Sequence, residues 1–566
     1  MKFKWISNNH SEETTPPKIE GLTLPPILHR LLHTRGISDF EAAKAFFRPD
    51  LSDLHPPLSM NQMDLAIERI TKGLDQGETF MIYGDYDVDG TTSVALVYSY
   101  LCKKTSKISA YIPDRYTEGY GLSFAGIDEA KKRGATLMIV LDCGTKAIEK
   151  VDYAVGLGID IIICDHHRPG TQLPNSVALL NPKREDNLYP DTNLSACGIG
   201  FKLIQGLEEN LGGDVTNLSE YLDLVAVSIA SDIVPVLGEN RVLATFGLKQ
   251  INHSPRNAFN QLLGEREMDA TLTDLVFKIG PKINAAGRIE HGMRAVEFLL
   301  SDSPEDSIEL LKNIQENNET RRDLDAKITK EALLLAEEQN NRMSTVVYSP
   351  NWHKGVVGIV ASRLIESHYK PTIVLTQSGA VIAGSARSVF GFDIHDALEN
   401  CSEYLSQFGG HMYAAGMTLE AKNLELFSSA FEKEVQKTLP EELKTPALHI
   451  DAELTLDQLT PKFYRVLSQF EPFGPENMKP LFCSRDLQLL SPKKVGGDKS
   501  HLKAYAHCPS SQITLDVIGF GLAKKFDKIG TRTQVDLVYH LEINAFRGDR
   551  KLQLVLKDLV SSKESK

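Results

Sequence analysis

At 566 residues the chain is too long for one ordinary domain, and its length suggests roughly three or four. Its 42% hydrophobic and 24% charged content excludes a disordered or fibrous chain. No apolar run is long enough to span a bilayer, and "MKFKWISNNHSEETTPP" lacks the apolar core of a secretory signal, so the expected location is the cytoplasm, with no membrane partner. A net charge of −13 excludes nonspecific attraction of the whole chain to nucleic acid, yet residues 491–566 carry 14 Lys and Arg against 8 Asp and Glu. The seven cysteines form no C-x-x-C pair, which predicts reduced thiols rather than a zinc or redox site.

Residues 1–75 read as short amphipathic segments broken by Pro16-Pro17, Pro25-Pro26 and Pro56-Pro57, a wrapping extension rather than a domain of its own. Over 76–302 the apolar runs "ETFMIYG", "ATLMIVLDCG" and "GIDIIICDHH" alternate with segments of helical period such as "FAGIDEAKKRG". That alternation predicts a parallel sheet covered by helices, with ligands at the carboxyl ends of its strands. The charged stretch 303–341 predicts one or two long helices joining two lobes, and 342–445 a second α/β domain with strands at "KPTIVLT" and "GAVIAGSARS" and a helix at "GVVGIVASRLIESH". From 446 to 566 short strands with turns predict an OB-like β-barrel of the kind used on single-stranded nucleic acid, and the basic charge falls there.

In "FMIYGDYDVDGTT" an apolar run breaks into Asp85, Asp87 and Asp89. In an extended chain these three would share one face, and like charges that close need a cation between them. "DYDVDG" also opens an EF-hand loop, but the twelfth position is Leu96 instead of Glu, which rejects that reading; taken alone, the motif also fits a polar surface turn. Two further apolar runs end alike, in Asp142 and in Asp165, His166 and His167, and an apolar helix in "LDLVAVSIASDIVP" ends at Asp232. Carboxylates with imidazoles suit two Mn²⁺ or Mg²⁺ ions, which activate water and stabilise phosphoryl oxygens.

"GDYDVDG", "LDCG", "CDHH" and "SIASDIVP", in this order, resemble the four motifs of the DHH phosphoesterase superfamily, and "GSARS" with "FGGHMYAAG" resembles its DHHA1 domain. With the leader "RGISDFEAAKAFFRPDLSDL" and the barrel, nearly the whole chain is similar to the branch of single-strand-specific 5′ to 3′ DNA exonucleases. The resemblance implies Asp85, Asp87, Asp89, Asp142, His166 and Asp232 as metal ligands, with Asp142 bridging two ions. It also implies His167 as the histidine facing the scissile phosphate, with Asp165 holding an imidazole in its tautomer.

Several other residues suit phosphate. Arg115 lies in a glycine-bearing loop, Arg288 near a helix start, Ser385 and Arg387 in "GSARS", and His411 behind a Gly409-Gly410 turn. For each arginine a surface salt bridge is an equally good reading of the residues; the resemblance assigns Arg288, Ser385 and Arg387 to the 5′-terminal phosphate. No phosphate-binding G-x-x-x-x-G-K loop, H-E-x-x-H or G-x-S-x-G is present, which argues against a helicase motor, a zincin and a serine hydrolase of the elbow type. Trp352 and His353 read as packing and capping residues. Pro475-Glu476-Asn477 stands where the branch carries a Gly-Asn-Pro type sequence.

The function so implied is hydrolysis of single-stranded DNA from its 5′ end, releasing 5′-mononucleotides, in repair and recombination. A single-strand-binding protein and a helicase are the implied partners that hand over the strand. The alternatives are another DHH activity (a short-oligonucleotide hydrolase, cyclic-dinucleotide phosphodiesterase or pyrophosphatase) or a scaffold that binds single strands without cutting them.

Overall fold

The computed structural model describes residues 2–7, 18–530, 533–546 and 549–563. These fall into two compact units, one of residues 8–315 with 450–566 and the other of residues 1–7 with 316–449.

The first unit contains a five-stranded sheet of β1 (Phe80–Gly84), β2 (Ile108–Tyr111), β3 (Leu137–Leu141), β4 (Asp160–Cys164) and β5 (Ala178–Leu180). Its order is β2-β1-β3-β4-β5 and every pairing is parallel, as the alternating pattern predicts. All five residues of β1 and of β3 are buried, because helices cover both faces, and this is why these strands read as unbroken apolar runs. Three helices bring further residues to the carboxyl edge: α1 (Val88–Leu101), α2 (Ala196–Asn210) and α3 (Leu222–Ser231). A fourth, α4 (Gly280–Ile289), carries Arg288.

In the same unit a barrel is built from β11 (Phe482–Val495), β12 (His501–His507), β13 (Thr514–Gly519), β14 (Val535–Phe546) and β15 (Asp549–Ser561). The order is β11-β12-β13-β15-β14, and β14 pairs back onto β11, which closes the five strands as an OB fold. The barrel core is continuous with the N-terminal extension: Leu28, Leu31, Leu32 and Phe46 pack in one cluster with Phe470, Phe482, Leu537 and Tyr539. Arg241 locks the two together from the catalytic side. Its buried guanidinium donates to Phe46 O at 2.8 Å, Phe470 O at 3.1 Å and Glu471 O at 2.9 Å, and stands 3.7 Å over the Phe46 ring. Carbonyls replace the water this charge has lost, and burial still pulls its pKa down to about 9. The Pro475-Glu476-Asn477 segment forms a tight turn in which buried Asn477 donates to Phe470 O and Pro472 O.

The second unit holds a mixed sheet of β6 (Thr345–Tyr348), β7 (Thr372–Ser378), β8 (Val381–Arg387), β9 (Gln407–His411) and β10 (Ala414–Leu419), ordered β9-β10-β8-β7-β6. Only β6 and β7 are parallel. The helix α6 (Val357–Ser367) lies against β7 and β8. The charged stretch is one 34-residue helix, α5 (Pro304–Glu337), whose Leu311 and Ile314 join the first core and whose Ile328, Ala332 and Ala336 join the second. Trp352 is a packing residue as expected: it is buried, and its Nε1–H donates to Glu331 on α5 at 2.8 Å. No helix among the described residues is long and apolar enough to cross a membrane, and the seven cysteines are all free.

Candidate metal centre and phosphate sites

The three aspartates after β1 do not share one extended face. The chain leaves the strand at Asp85, and Asp87 becomes the N-cap of α1, its carboxylate accepting from Gly90 N at 3.0 Å, so Asp89 already lies in the first helical turn. Gly90 permits this sharp entry, since a Cβ there would stand 2.3 Å from Asp85 O. The turn deals the acids to two neighbouring groups: Asp85 and Asp87 gather with Asp142, and Asp89 gathers with His166 and Asp232. Asp142 follows β3 in a left-handed conformation, φ 60°, sparsely populated for a residue with a side chain. Asp232 caps the end of α3.

His166 joins the two groups. Its Nε2 lies 3.4 Å from Asp232, 3.5 Å from Asp142 and 3.8 Å from Asp89. Donors each about 2.1 Å from a shared ion stand roughly 3 Å or more from one another, which these spacings satisfy. The electrostatics point the same way. Burial and the charge of Asp87 push the Asp85 and Asp142 carboxyls well above the carboxylate range, and raise Asp89 to about 6. Asp89 is buried yet accepts from Ser228 Oγ at 2.7 Å, Ala196 N at 2.8 Å and Cys197 N at 2.9 Å, so the N-terminus of α2 supports its charge. Asp85 Oδ1 is buried with no hydrogen-bond partner, an acceptor that protein groups leave unsatisfied. An oxygen-rich cage with one imidazole and no thiolate fits Mn²⁺ or Mg²⁺.

His167 is held differently. Its Nδ1 meets Asp165 Oδ1 at 2.7 Å and its Nε2 meets the Tyr120 hydroxyl at 3.1 Å. Asp165 is therefore placed to orient an imidazole, as the family resemblance implies. Burial alone would raise the Asp165 carboxyl, but His167 and Thr145 hold it well below its ordinary value. Burial likewise lowers the imidazole, and the Asp165 carboxylate outweighs it to raise the His167 pKa. Sequence reasoning missed the rest of this support. Asn181, buried, donates to His167 O at 2.8 Å and to Thr145 Oγ1 at 3.0 Å, while Thr145 N donates to Asp165 Oδ2 at 2.9 Å, closing a ring of contacts behind the imidazole. The signal was present in "VALLNP", a further apolar run ending in a polar residue, but β5 is only three residues long.

Arg115 stacks over the Tyr86 ring at 4.7 Å, and the neighbouring Tyr116 hydroxyl donates to Arg288 O, so these two arginines come from adjoining segments. Arg288 lies in the last turn of α4 and not near a helix start, because α4 already begins at Gly280 with Pro281 in its first turn. Gly287 lets the helix end press on the segment after β1: a Cβ there would stand 2.7 Å from Tyr86 O.

Ser385, Arg387, Gly409, Gly410 and His411 belong to the second unit. Gly409-Gly410 is strand and not a turn; the chain reverses one step later, at Met412-Tyr413, because β9 pairs through His411 with Ala414. Gly410 has φ 152°, and a Cβ there would stand 2.3 Å from Ala414 O. Register then brings the set together: Gly409 and Ser385 both pair with Gly416, and His411 and Arg387 both pair with Ala414, which places all four on one sheet face. Arg387 Nη1 donates to Ser385 Oγ at 2.8 Å. Over these two residues lies the start of α6, where a Cβ on Gly358 would stand 2.9 Å from Arg387 Nη2 and 3.0 Å from Ser385 Oγ. A serine hydroxyl, a guanidinium and a helix N-terminus are groups whose chemistry favours an anion.

A parallel sheet whose carboxyl edge gathers six aspartates and two histidines from four motifs defines a DHH phosphoesterase. Residues 79–229 match the DHH family N-terminal domain, and 341–437 the DHHA1 domain. Residues 450–558 match the RecJ OB domain. The chain is 34% identical to the single-stranded-DNA-specific exonuclease RecJ of Bacillus subtilis, over 99% of this chain and 71% of that protein, and 32% identical to that of Escherichia coli, over 95% and 96%. It belongs to the RecJ family of single-stranded-DNA-specific exonucleases. Its fold is that of Thermus thermophilus RecJ in complex with Mn²⁺, with a TM-score of 0.82 at 24% identity, covering 95% of this chain and 76% of that one. A second RecJ structure bound to manganese matches with a TM-score of 0.60 at 28% identity, over 69% of this chain and 97% of that one.

Proposed function

We propose that the protein hydrolyses single-stranded DNA from its 5′ end, releasing 5′-mononucleotides, in DNA repair and recombination. The observation that carries this reading is the pair of donor groups, Asp85, Asp87 and Asp142 beside Asp89, His166 and Asp232, at one sheet edge. Two Mn²⁺ or Mg²⁺ ions held by these residues would supply Lewis acidity and a water of lowered pKa.

The chain's own residues do the remaining work. Asp165 fixes the His167 ring through Nδ1, and the ring's Nε2, which meets the Tyr120 hydroxyl at 3.1 Å, reaches a phosphoryl oxygen by exchanging that contact for the substrate. The raised pKa keeps a proton on that ring at higher pH than an isolated histidine would hold it. Arg115 and Arg288 hold the strand's phosphates near the cage. Ser385, Arg387 and His411, with the Gly409-Gly410 strand beside them, hold the 5′-terminal phosphate, which sets the polarity. The barrel retains the strand downstream, with Lys493 and Lys503 paired across β11 and β12 on its exposed surface. This reading places the protein in the cytoplasm, supplied with single strands by a helicase and a single-strand-binding protein.

The test is a time course in Mn²⁺ on single-stranded and blunt duplex DNA labelled at either end, with Asp87→Ala beside the wild type. Early release of the 5′ label as mononucleotide, from single strands only and absent in the variant, is expected. Tight binding without cleavage would favour the scaffold, and cleavage confined to dinucleotides or pyrophosphate another DHH activity.

A further inference from the structure

Phe390 and Tyr413 are 67% and 46% exposed, and their rings lie with centroids 6.3 Å apart and planes only 17° from parallel. The His449 ring stands 6.3 Å from Phe390 on this same unit. Single exposed hydrophobic residues need no explanation, but two large rings kept near parallel in water are an unusual use of apolar surface. Backbone contacts fix them there. Tyr413 sits in the β9–β10 turn, where its carbonyl accepts from Ser388 N at 3.0 Å, and Phe390 N donates to the Tyr369 hydroxyl at 3.2 Å.

The same segments carry the proposed 5′-phosphate site. Ser388 directly follows Arg387, and Ala414, directly after Tyr413, is the residue paired with both Arg387 and His411. Along the chain Phe390 thus follows Arg387 by three residues and Tyr413 follows His411 by two. A nucleotide presents a phosphate and a flat base joined by a sugar, so cationic groups bordered by aromatic faces match it, whereas a purely apolar partner would leave the guanidinium unused.

We propose that Phe390 and Tyr413 form a stacking subsite for an unpaired nucleobase at the 5′ end of the strand. The subsite rests on the reading of Ser385, Arg387 and His411 as the 5′-phosphate site. Every base offers a π face, so the subsite accepts any sequence and favours unpaired over paired bases, because a paired base keeps its faces within the duplex stack.

The experiment places 2-aminopurine at each of the four 5′-terminal positions of a 5′-phosphorylated single strand and binds it to the full chain carrying Asp87→Ala to block turnover. Fluorescence at one of these positions is expected to be quenched on binding by about fivefold and restored when Phe390→Ser and Tyr413→Ser are added, with affinity reduced about tenfold. Unchanged quenching at all four positions in the added variant, with binding intact, would overturn the proposal. So would a shift in sedimentation on adding the two substitutions with quenching unchanged, which would make the pair a contact between copies. A 5′-hydroxyl strand separates the two readings: equal affinity with and without the phosphate removes the phosphate site, while quenching lost in the variant still supports the stacking subsite.

Discussion

The two sheets of this protein assemble function in opposite ways. In the parallel sheet the acids and histidines sit just past β1, β3 and β4, so topology alone brings residues from separate motifs to one edge. In the mixed sheet Ser385, Arg387, Gly409 and His411 come from two strands that do not pair with each other and meet across the face through their antiparallel register with β10. The first arrangement buries mutually repelling carboxylates and is strained until a cation arrives. The second is half-exposed, with its arginine already bonded to its serine. One cluster stores unfavourable charge, and the other holds its polar groups already paired with one another.

The sharpest test of that contrast is Asp142→Asn, which removes the carboxylate that gathers with Asp85 and Asp87 and stands 3.5 Å from His166 Nε2. It is expected to lower mononucleotide release in Mn²⁺ by about a thousandfold or more. Arg387→Lys in the other sheet should raise KM for a 5′-phosphorylated strand by about tenfold and leave kcat and the 5′-hydroxyl strand almost unchanged. Comparable kcat losses for the two variants would erase the distinction.

Asn181→Asp probes the support behind His167. It is isosteric but loses both donors, and kcat should fall by about ten- to a hundredfold while KM holds. In a His167→Ala background the same change should cost less than about twofold, since only the imidazole transmits it. Equal losses in both backgrounds would mean that Asn181 supports the fold alone.

Stored charge also predicts a dependence of stability on pH. Carboxyls raised by burial, such as Asp89 at about 6 and Asp142 above its ordinary value, bind protons more tightly folded than unfolded. Their contribution is therefore present at low pH and lost as pH rises through the folded values. Without divalent ions Asp142→Asn should melt above the wild type, by a margin that widens from about pH 5 to pH 8, and in Mn²⁺ the order should reverse. A margin independent of pH would mean that the cage carries no such strain.

The smallest effect is expected on the barrel. Replacing Lys493 and Lys503 with Glu should weaken binding to long strands by several-fold and reduce the salt slope by about 1.4, at about 0.7 for each phosphate no longer neutralised, with dinucleotide hydrolysis unaffected.

The elements and one of the two sites were legible in the chain before any folding. Apolar runs ending in Asp or His are a local pattern, and a parallel sheet converts that pattern into proximity, so Asp85, Asp87, Asp89, Asp142, Asp165, His166 and His167 could be named from it; Asp232 ends an apolar helix instead, and the choice of six metal candidates came from the family resemblance. How they divide was settled by tertiary structure. The helix starting at Asp87 replaces the shared strand face expected of the three aspartates, because N-capping at Asp87 and the close fit of Gly90 end the extended chain. Tertiary structure also decided the local form of other candidates: in the second unit the Gly409-Gly410 strand displaces the expected turn, and in the first the last turn of α4 displaces the helix start expected at Arg288. Register pairs residues by hydrogen bonds between backbones distant in sequence, and a buried helper such as Asn181 is chosen by the neighbours it must satisfy; neither leaves a periodic mark on the chain.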